Sequence, residues 1–449
     1  MYEVFLLVAS VVLLILLISK FRLHTFLSLL LISILLGIAG GLPLPEVAQH
    51  IAEGFGSIMQ NIGIVIVAGV IIGEILEVTG GAKKIANAVL NLVGKKNATV
   101  ATAATGGVVS LSVFCDAGFI ILNPAIKAIS RAGKIPYMCL VSALMMGLLA
   151  MHSLTPPTPG PVAAAGILGA DLGTVMIYGF IVAIPVILIT SIFWCNSKYL
   201  RNKFPELAPA DDPSELAAIE EAAAVEAKEK ASGPSLFKST LPIIVPIILI
   251  VIRSFVAQGE QDTFWAEVIL FLGTPYIALL IGVVLSFLIP KKITHEVTET
   301  WVSTAIKKSA EIVILTGIAG GFGRILQNIG VGEVLADIMA ATNLPSIMLP
   351  FIISMLVLLA QGSATVALAT TSAIILPLLP TLGISPELAV ISIAGGSFTG
   401  VLPSGSYFWA VTKLAGYDIK KGYIAVTATT FVMGAVAFVS IFVLSMFVS

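Results

Sequence analysis

KKNATVATAATGGVVSLSVFCDAGFIILNPAIKAISRAGK, residues 95 to 134, constrains the architecture more than any other part of the chain. Lys95 and Lys96 precede an apolar segment from Ala98 to Leu122, and Lys127, Arg131 and Lys134 follow it. Basic residues gather on the cytoplasmic side of membrane spans. Both flanks of one hydrophobic segment therefore belong to the same side, and the segment reads as a re-entrant hairpin. A bilayer accepts such irregular backbone only where protein or a water-lined cavity surrounds it.

The composition of the whole chain agrees with a membrane location. Of 449 residues, 58% are hydrophobic and 11% charged, with a mean hydropathy of +1.06, against about 25% charged in soluble domains. At about 20 residues per helix the length accommodates roughly ten spans. Secreted enzymes, soluble cofactor-binding folds and nucleic-acid binders are excluded, and a net charge of −1 offers nothing to a polyanion. Cys115, Cys139 and Cys195 lie in or beside apolar runs without CxxC or His-rich spacing, which argues against a disulfide framework and a metal cluster. Met1 to Ser19 carries Glu3, no basic leader and no cleavage pattern, so it reads as a retained first helix.

Loop charges extend the topology. Lys20 and Arg22 put the N-terminus outside, and the segment from Leu42 to Ser57, without Lys or Arg, reads as an outer loop. Lys291, Lys292, Lys307 and Lys308 are inside, Asn328 to Asn343 has acids but no basic residue, and Lys413, Lys420 and Lys421 are again inside. The apolar run from Ser346 to Pro380 must then enter and leave from outside; Arg253, at the outer end of its helix, breaks the pattern. The expected fold is an all-α polytopic membrane protein of two inverted repeats, each about five transmembrane helices plus a re-entrant hairpin, with both termini outside. Residues 1–195 form the first repeat (hairpin about 98–122, broken helix about 137–170). Residues 196–238 form a charged cytoplasmic linker interrupted by Pro205, Pro209, Pro213 and Pro234, with a surface helix in its Ala- and Glu-rich middle. Residues 239–449 form the second repeat (hairpin about 346–380, broken helix about 387–414).

The repeat is visible in the residues. A shift of roughly 250 positions sets GEILEVTGG, from Gly73, on GRILQNIGV, from Gly323, and Asp116 on Ser363; HSLTPPTPG, from His152, falls on TGVLPSGSY, from Thr399. The last two landmarks are 36 residues apart in both halves. With an odd number of spans per half the repeats run oppositely through the bilayer, the arrangement of secondary transporters whose substrate sits where helix breaks meet near the midplane. Gly and Pro also serve plain packing and kinks; their pairing at equivalent positions after each hairpin favours a site.

Asp116 is the one acid in its apolar stretch, which suits either a proton or cation coupling site or a helix N-cap. Gly118 permits close backbone approach, and Asn123 before Pro124 is a ligand or a break. Pro156, Pro157, Pro159 and Pro161 interrupt a helix and free its backbone groups, Gly160 among them, to hold a carboxylate; His152 at the edge of the break suits proton handling or hydrogen bonding. In the second half Gly362, Ser363 and Thr365 mark a hairpin tip, and Ser404, Gly405 and Ser406 a further break. Glu74 and Arg324 fall near the ends of equivalent third helices, on opposite sides, and read as interfacial or gating residues. Walker, HExxH and nucleophile-elbow motifs are absent, so neither ATP drive nor covalent catalysis has a sequence basis, and no cofactor is expected.

DAGF at Asp116 to Phe119, H-x-x-x-PP-x-PGP from His152 to Pro161, ADLG at Ala170 to Gly173, GSATVA at Gly362 to Ala367 and GISPEL at Gly383 to Leu388 together resemble the gluconate permease family of proton symporters, within the ion transporter superfamily. The resemblance implies uptake of gluconate or a related hydroxy-carboxylate or D-amino acid across the inner membrane, coupled to H+, with Na+ as the alternative ion. It also implies a homodimeric scaffold and elevator-like motion. A channel is the rival class, disfavoured by the opposite orientation of the halves.

Cysteines introduced at residues 260–263 are expected to react with an impermeant maleimide from outside, and those at residues 211–231 only from inside. Labelling of both regions from one side refutes the inverted arrangement.

Overall fold

The computed structural model describes residues 2–93, 97–209, 234–259, 263–330 and 345–448, which are helical with no strand among them. The whole of the surface helix expected in the linker, most of the segment 260–263 and the acids of Asn328 to Asn343 lie outside the described residues.

The first half opens with α1 (Tyr2–Ser19) and α2 (Thr25–Ala39), the latter capped by His24 Nδ1 accepting from the Phe26 amide. Then α3 (Leu44–Ile58) runs through a π-type turn at Met59–Gly63 into α4 (Ile64–Val78), 35 residues in all. Next come α5 (Gly81–Val93), α6 (Ala98–Ser110), α7 (Cys115–Gly133), α8 (Tyr137–Leu154), α9 (Pro159–Leu168), α10 (Leu172–Ile189, prolonged to Cys195) and α11 (Lys198–Lys203). The second half has α12 (Leu236–Val256), α13 (Phe264–Leu272) and α14 (Pro275–Ser286), then α15 (Val302–Asn328), which continues a π-type turn from Glu296. It ends with α16 (Met348–Gln361), α17 (Ala364–Ile375), α18 (Leu379–Leu382), α19 (Pro386–Gly396), α20 (Ser406–Leu414), α21 (Ile419–Gly422) and α22 (Thr429–Val448).

Among the described residues seven helices are long and apolar enough to span, or eight when α13 and α14, bent by 67°, count as one. Fewer than ten qualify because several apolar segments are short. α2 has 15 residues, about 22 Å at 1.5 Å per residue against a hydrocarbon core of about 30 Å. The segment read as an outer loop, Leu42 to Ser57, is mostly α3. Its Glu46, Gln49 and Glu53 face outward while Val47, Gly54 and Ile58 are buried at helical spacing, so the charges that suggested a loop belong to the wet side of an amphipathic helix. Arg253, the exception to the charge rule, lies 3.7 Å from the Asp171 carboxylate.

At the centre lies α8, every residue of which is buried. α6 packs on α8, and α16 packs on α19; α17 packs on α9, and α20 on α7. Of these four contacts, the first two lie one in each half and the last two cross between the halves. α15 lies against α2, α3 and α4. Lipid gives helices no hydrophobic reason to associate, so close backbone approach at small residues supplies the attraction. A Cβ on Gly147 of α8 would run into the Ala103 carbonyl of α6.

Gly147→Val is expected to force α6 from α8 at a cost of about 1–3 kcal/mol, seen as a lower thermal unfolding temperature of the solubilised protein. An unchanged temperature would rule out this contact.

Candidate functional site

Four interruptions of helical backbone define the candidate site: Leu111–Phe114 between α6 and α7, Thr155–Thr158 between α8 and α9, Gly362–Ser363 between α16 and α17, and Ser397–Gly405 between α19 and α20. They fall where the sequence places two hairpin tips and two broken helices. The second holds a cis Pro156–Pro157 bond and is tied by the Thr158 hydroxyl donating to the Thr155 carbonyl at 2.6 Å.

The interruptions adjoin one another. α4 presents Gly69 and Gly73 one turn apart, the first against the Pro157 carbonyl and the second against the Ser112 carbonyl, so the first two breaks share one face of α4. Gly160 of α9 faces Thr365 and Leu368 of α17. Gly362, with φ of +76°, lies against the backbone of Ser404 and Gly405. Tyr407, at the start of α20, donates to the Met145 carbonyl at 2.9 Å, and α20 returns to pack on α7.

Between the first two breaks and α4 is a cavity of about 30 Å³ lined by Ser110, Ser112, Phe114, His152, Pro157 and Thr158, room for roughly two waters. The Ser110 and Ser112 hydroxyls, His152 Nδ1 and Asp116 Oδ1 are buried without a hydrogen-bond partner. Each such group costs about 1–3 kcal/mol, which a ligand or ion repays. The Phe114 and His152 rings lie 5.9 Å apart. Asp116 sits in the first turn of α7 and is not its cap; Phe114 holds that position and makes no side-chain cap bond.

Other expected residues have packing or capping duties. Asn123 is spent on both ends, its amide donating to the Leu414 carbonyl at 3.0 Å and its carbonyl accepting from Tyr137 at 2.5 Å, and so fastens α7 to α8 and α20. Gly118 makes room for Leu148 of α8. Ser363 caps α17 by accepting from the Val366 amide at 3.5 Å. Ser404 and Ser406 are exposed. Sequence reasoning passed over Ser110, Ser112 and Gln361, whose amide atoms are also buried and unpartnered; their signal was polar side chains in the last turn before each hairpin tip. Glu74 and Arg324 both join the 44–78 helix to α15: Lys308 Nζ meets the buried Glu74 carboxylate at 2.5 Å, and Arg324 meets the Glu53 carboxylate at 3.6 Å.

The sequence pattern of GntP family permeases matches residues 2–447. An uncharacterised permease of Haemophilus influenzae is 34% identical, covering 97% of this chain and 90% of its own. The high-affinity gluconate transporter of Escherichia coli is 30% identical over 86% of each chain, and the gluconate permease of Pseudomonas aeruginosa 27% over 96% and 95%. The fold is similar to that of the YdaH transporter of Alcanivorax borkumensis, with a TM-score of 0.66, 16% identity and coverage of 93% and 96%. The chain belongs to the GntP permease family and is a multi-pass membrane transporter, not an enzyme.

Gly362 and Gly41 both have positive φ, but a Cβ on Gly41 meets nothing within 4 Å whereas one on Gly362 meets Gly405 backbone. Gly41→Ala is expected to cost about 1 kcal/mol of strain and to leave transport unchanged. Gly362→Ala should cost more and abolish transport. Equal thermal shifts and equal transport rates would show that the docking of these two breaks is unimportant.

Proposed function

We propose that this GntP-family permease is a proton-coupled symporter that takes up gluconate or a similar small sugar acid or hydroxy-carboxylate across the inner membrane. The observation that carries the reading is a set of uncapped helix starts. Each interruption is followed by a helix N-terminus, and α7, α9 and α20 begin without any side-chain cap, at Phe114, Thr158 and Gly405. An uncapped N-terminus carries free amides and about half a positive charge. Those of α7 and α20, with the single Gly160 amide between Pro159 and Pro161 at the start of α9, suit a carboxylate, and the unpartnered Ser110, Ser112 and His152 suit hydroxyls. No Lys or Arg lines the cavity between the first two breaks. The names of the gluconate-transporting relatives support the same substrate class.

The cavity of about 30 Å³ is far below the ~300–1,000 Å³ of ordinary ligand pockets. Loading a sugar acid therefore requires the segments around the breaks to separate from α4 and α15. In this reading the two halves run oppositely through the bilayer as inverted repeats with both termini outside. The hairpins and broken helices move as one elevator-like unit within a homodimer, and they expose the site to each side in turn. Asp116 is the coupling group: a single acid in the first turn of α7 that is charged or neutral according to the proton it carries. His152, beside the proline break, contacts substrate.

In proteoliposomes an imposed pH gradient, acid outside, should drive gluconate accumulation and an imposed Na+ gradient should not; accumulation on Na+ alone transfers the coupling to sodium. Asp116→Asn is expected to lose uphill accumulation by tenfold or more and to retain substrate counterflow, since the amide resembles the protonated acid but releases no proton. His152→Gln should mainly raise KM. Wild-type accumulation by Asp116→Asn eliminates Asp116 as the proton carrier.

A further inference from the structure

A second, roomier cavity lies away from the four breaks. It has a volume of about 500 Å³, within the range of ligand pockets. One wall is a polar stripe, Glu53, Ser57 and Asn61, spaced four residues apart from α3 into the π-type turn, with Arg324 and Gln327 on α15. The facing wall is the C-terminal end of α9, closing at Gly169, with Leu376 just past α17. Those two helices have their N-terminal ends at the second and third breaks. α9 has 10 residues, so the cavity stands about 15 Å from the break along the α9 axis.

We propose that this cavity is an external loading site for the carboxylate substrate, in which Arg324 takes the carboxylate in exchange for Glu53, and Ser57, Asn61 and Gln327 bind hydroxyls. The assignment rests on the symporter reading above. The Arg324–Glu53 pair is built to be exchanged. At 3.6 Å it exceeds hydrogen-bond length, and its side chains are 49% and 43% exposed. Its counterpart at the other end of α15, Lys308 with Glu74, is 2.5 Å long with Glu74 only 8% exposed. The single long contact of this exposed pair is worth about 0–1 kcal/mol, whereas a free carboxylate can align both oxygens on the same guanidinium, the stronger bidentate arrangement. Glu53 also keeps partners when Arg324 leaves: Gln49 donates to its Oε1 at 2.7 Å, and His50 lies 3.6 Å from Oε2. Ser57, Asn61 and Gln327 are exposed to the cavity. A substrate with one carboxylate and several hydroxyls matches this set, and a dead-end anion site would not need the hydroxyl-binding stripe.

The test uses Asn61→Cys in right-side-out vesicles; the three native cysteines are buried. An impermeant maleimide should label Cys at position 61 from outside, and gluconate should protect it. Adding Arg324→Gln should abolish protection and raise the transport KM tenfold or more, with maximal rate within about twofold. Arg324→Lys should be intermediate. Glu53→Gln, which keeps the guanidinium and removes its competitor, should lower the protecting concentration severalfold, and it tests the exchange even where Arg324→Gln does not fold. Labelling only from the cytoplasmic side, or protection indifferent to Arg324 and Glu53, overturns the assignment. Gluconate accumulation is followed in the same vesicles. Accumulation without protection overturns the loading site alone, and protection without accumulation overturns the symporter reading and leaves the site standing.

Discussion

A backbone amide or carbonyl has no water to turn to inside hydrocarbon, and every other feature of this structure answers to that constraint. Unbroken helices meet it internally. This chain breaks its helices at four places, and each break is covered by another segment. The Ser112 and Pro157 carbonyls lie on the glycine face of α4, Gly362 meets Gly405, and the Thr158 hydroxyl takes the Thr155 carbonyl. Unpartnered polar groups lie beside the breaks, at Ser110, Ser112, Asp116 and His152 in the first half and Gln361 in the second, and others lie inside helices, as at Thr102, Ser142 and Thr370 to Ser372. A structure selected only for stability would have kept these helices continuous and these positions apolar. In the proposed function the unmet groups beside the breaks are satisfied by a ligand that can then leave.

Packing follows from the same absence of water. Since lipid is as apolar as leucine, α8 is held not by burial of its apolar face as such but by backbone proximity at Gly147 and its neighbours. The ion pairs at the two ends of α15 differ because their surroundings differ. Glu74 is buried, and removing its partner would strand a charge, so that pair fastens α4 to α15. Glu53 and Arg324 are half in solvent and are worth little to the fold. One end of the long helix pair is clamped while the other is free to trade partners.

The positions of the four breaks were legible in the sequence because Pro, Gly and hydroxyl residues recur at equivalent spacing in the two halves, and a break is a local event with local chemical causes. The family was legible for the same reason, in motifs such as DAGF and GSATVA. What was not legible depends on facing. α3 reads as a loop when Glu46 and Glu53 count as charges along the chain, whereas in space they form one side of a helix. Asn123 looked like a ligand until Tyr137 and Leu414, distant in sequence, were found to occupy it. Ser363, at the second hairpin tip, accepts from Val366 as a cap, which leaves its hydroxyl proton to donate. Ser110 and Ser112 drew no notice, since a serine in a membrane helix ordinarily bonds back to its own turn; here the turn ends beside them and they have nothing to bond to.

The placement of positive charge gives these elements a common logic. The first two breaks offer amide dipoles, hydroxyls and His152, with no Lys or Arg in the lining of their cavity, while Arg324 stands about one α9 length away in a roomier space. In the proposed elevator cycle, a full cation at the breaks would bind a carboxylate too firmly to release it, and it would leave an uncompensated charge to be moved through hydrocarbon on the empty return. Helix dipoles avoid both difficulties, being fractional charges that need no counter-ion when the site is vacant. Capture from dilute solution, on the other hand, favours a full charge at the entrance, where water screens its cost and Glu53 can cover it between substrates. Strong attraction at the mouth and moderate attraction at the midpoint is the order that lets a carrier both fill and empty.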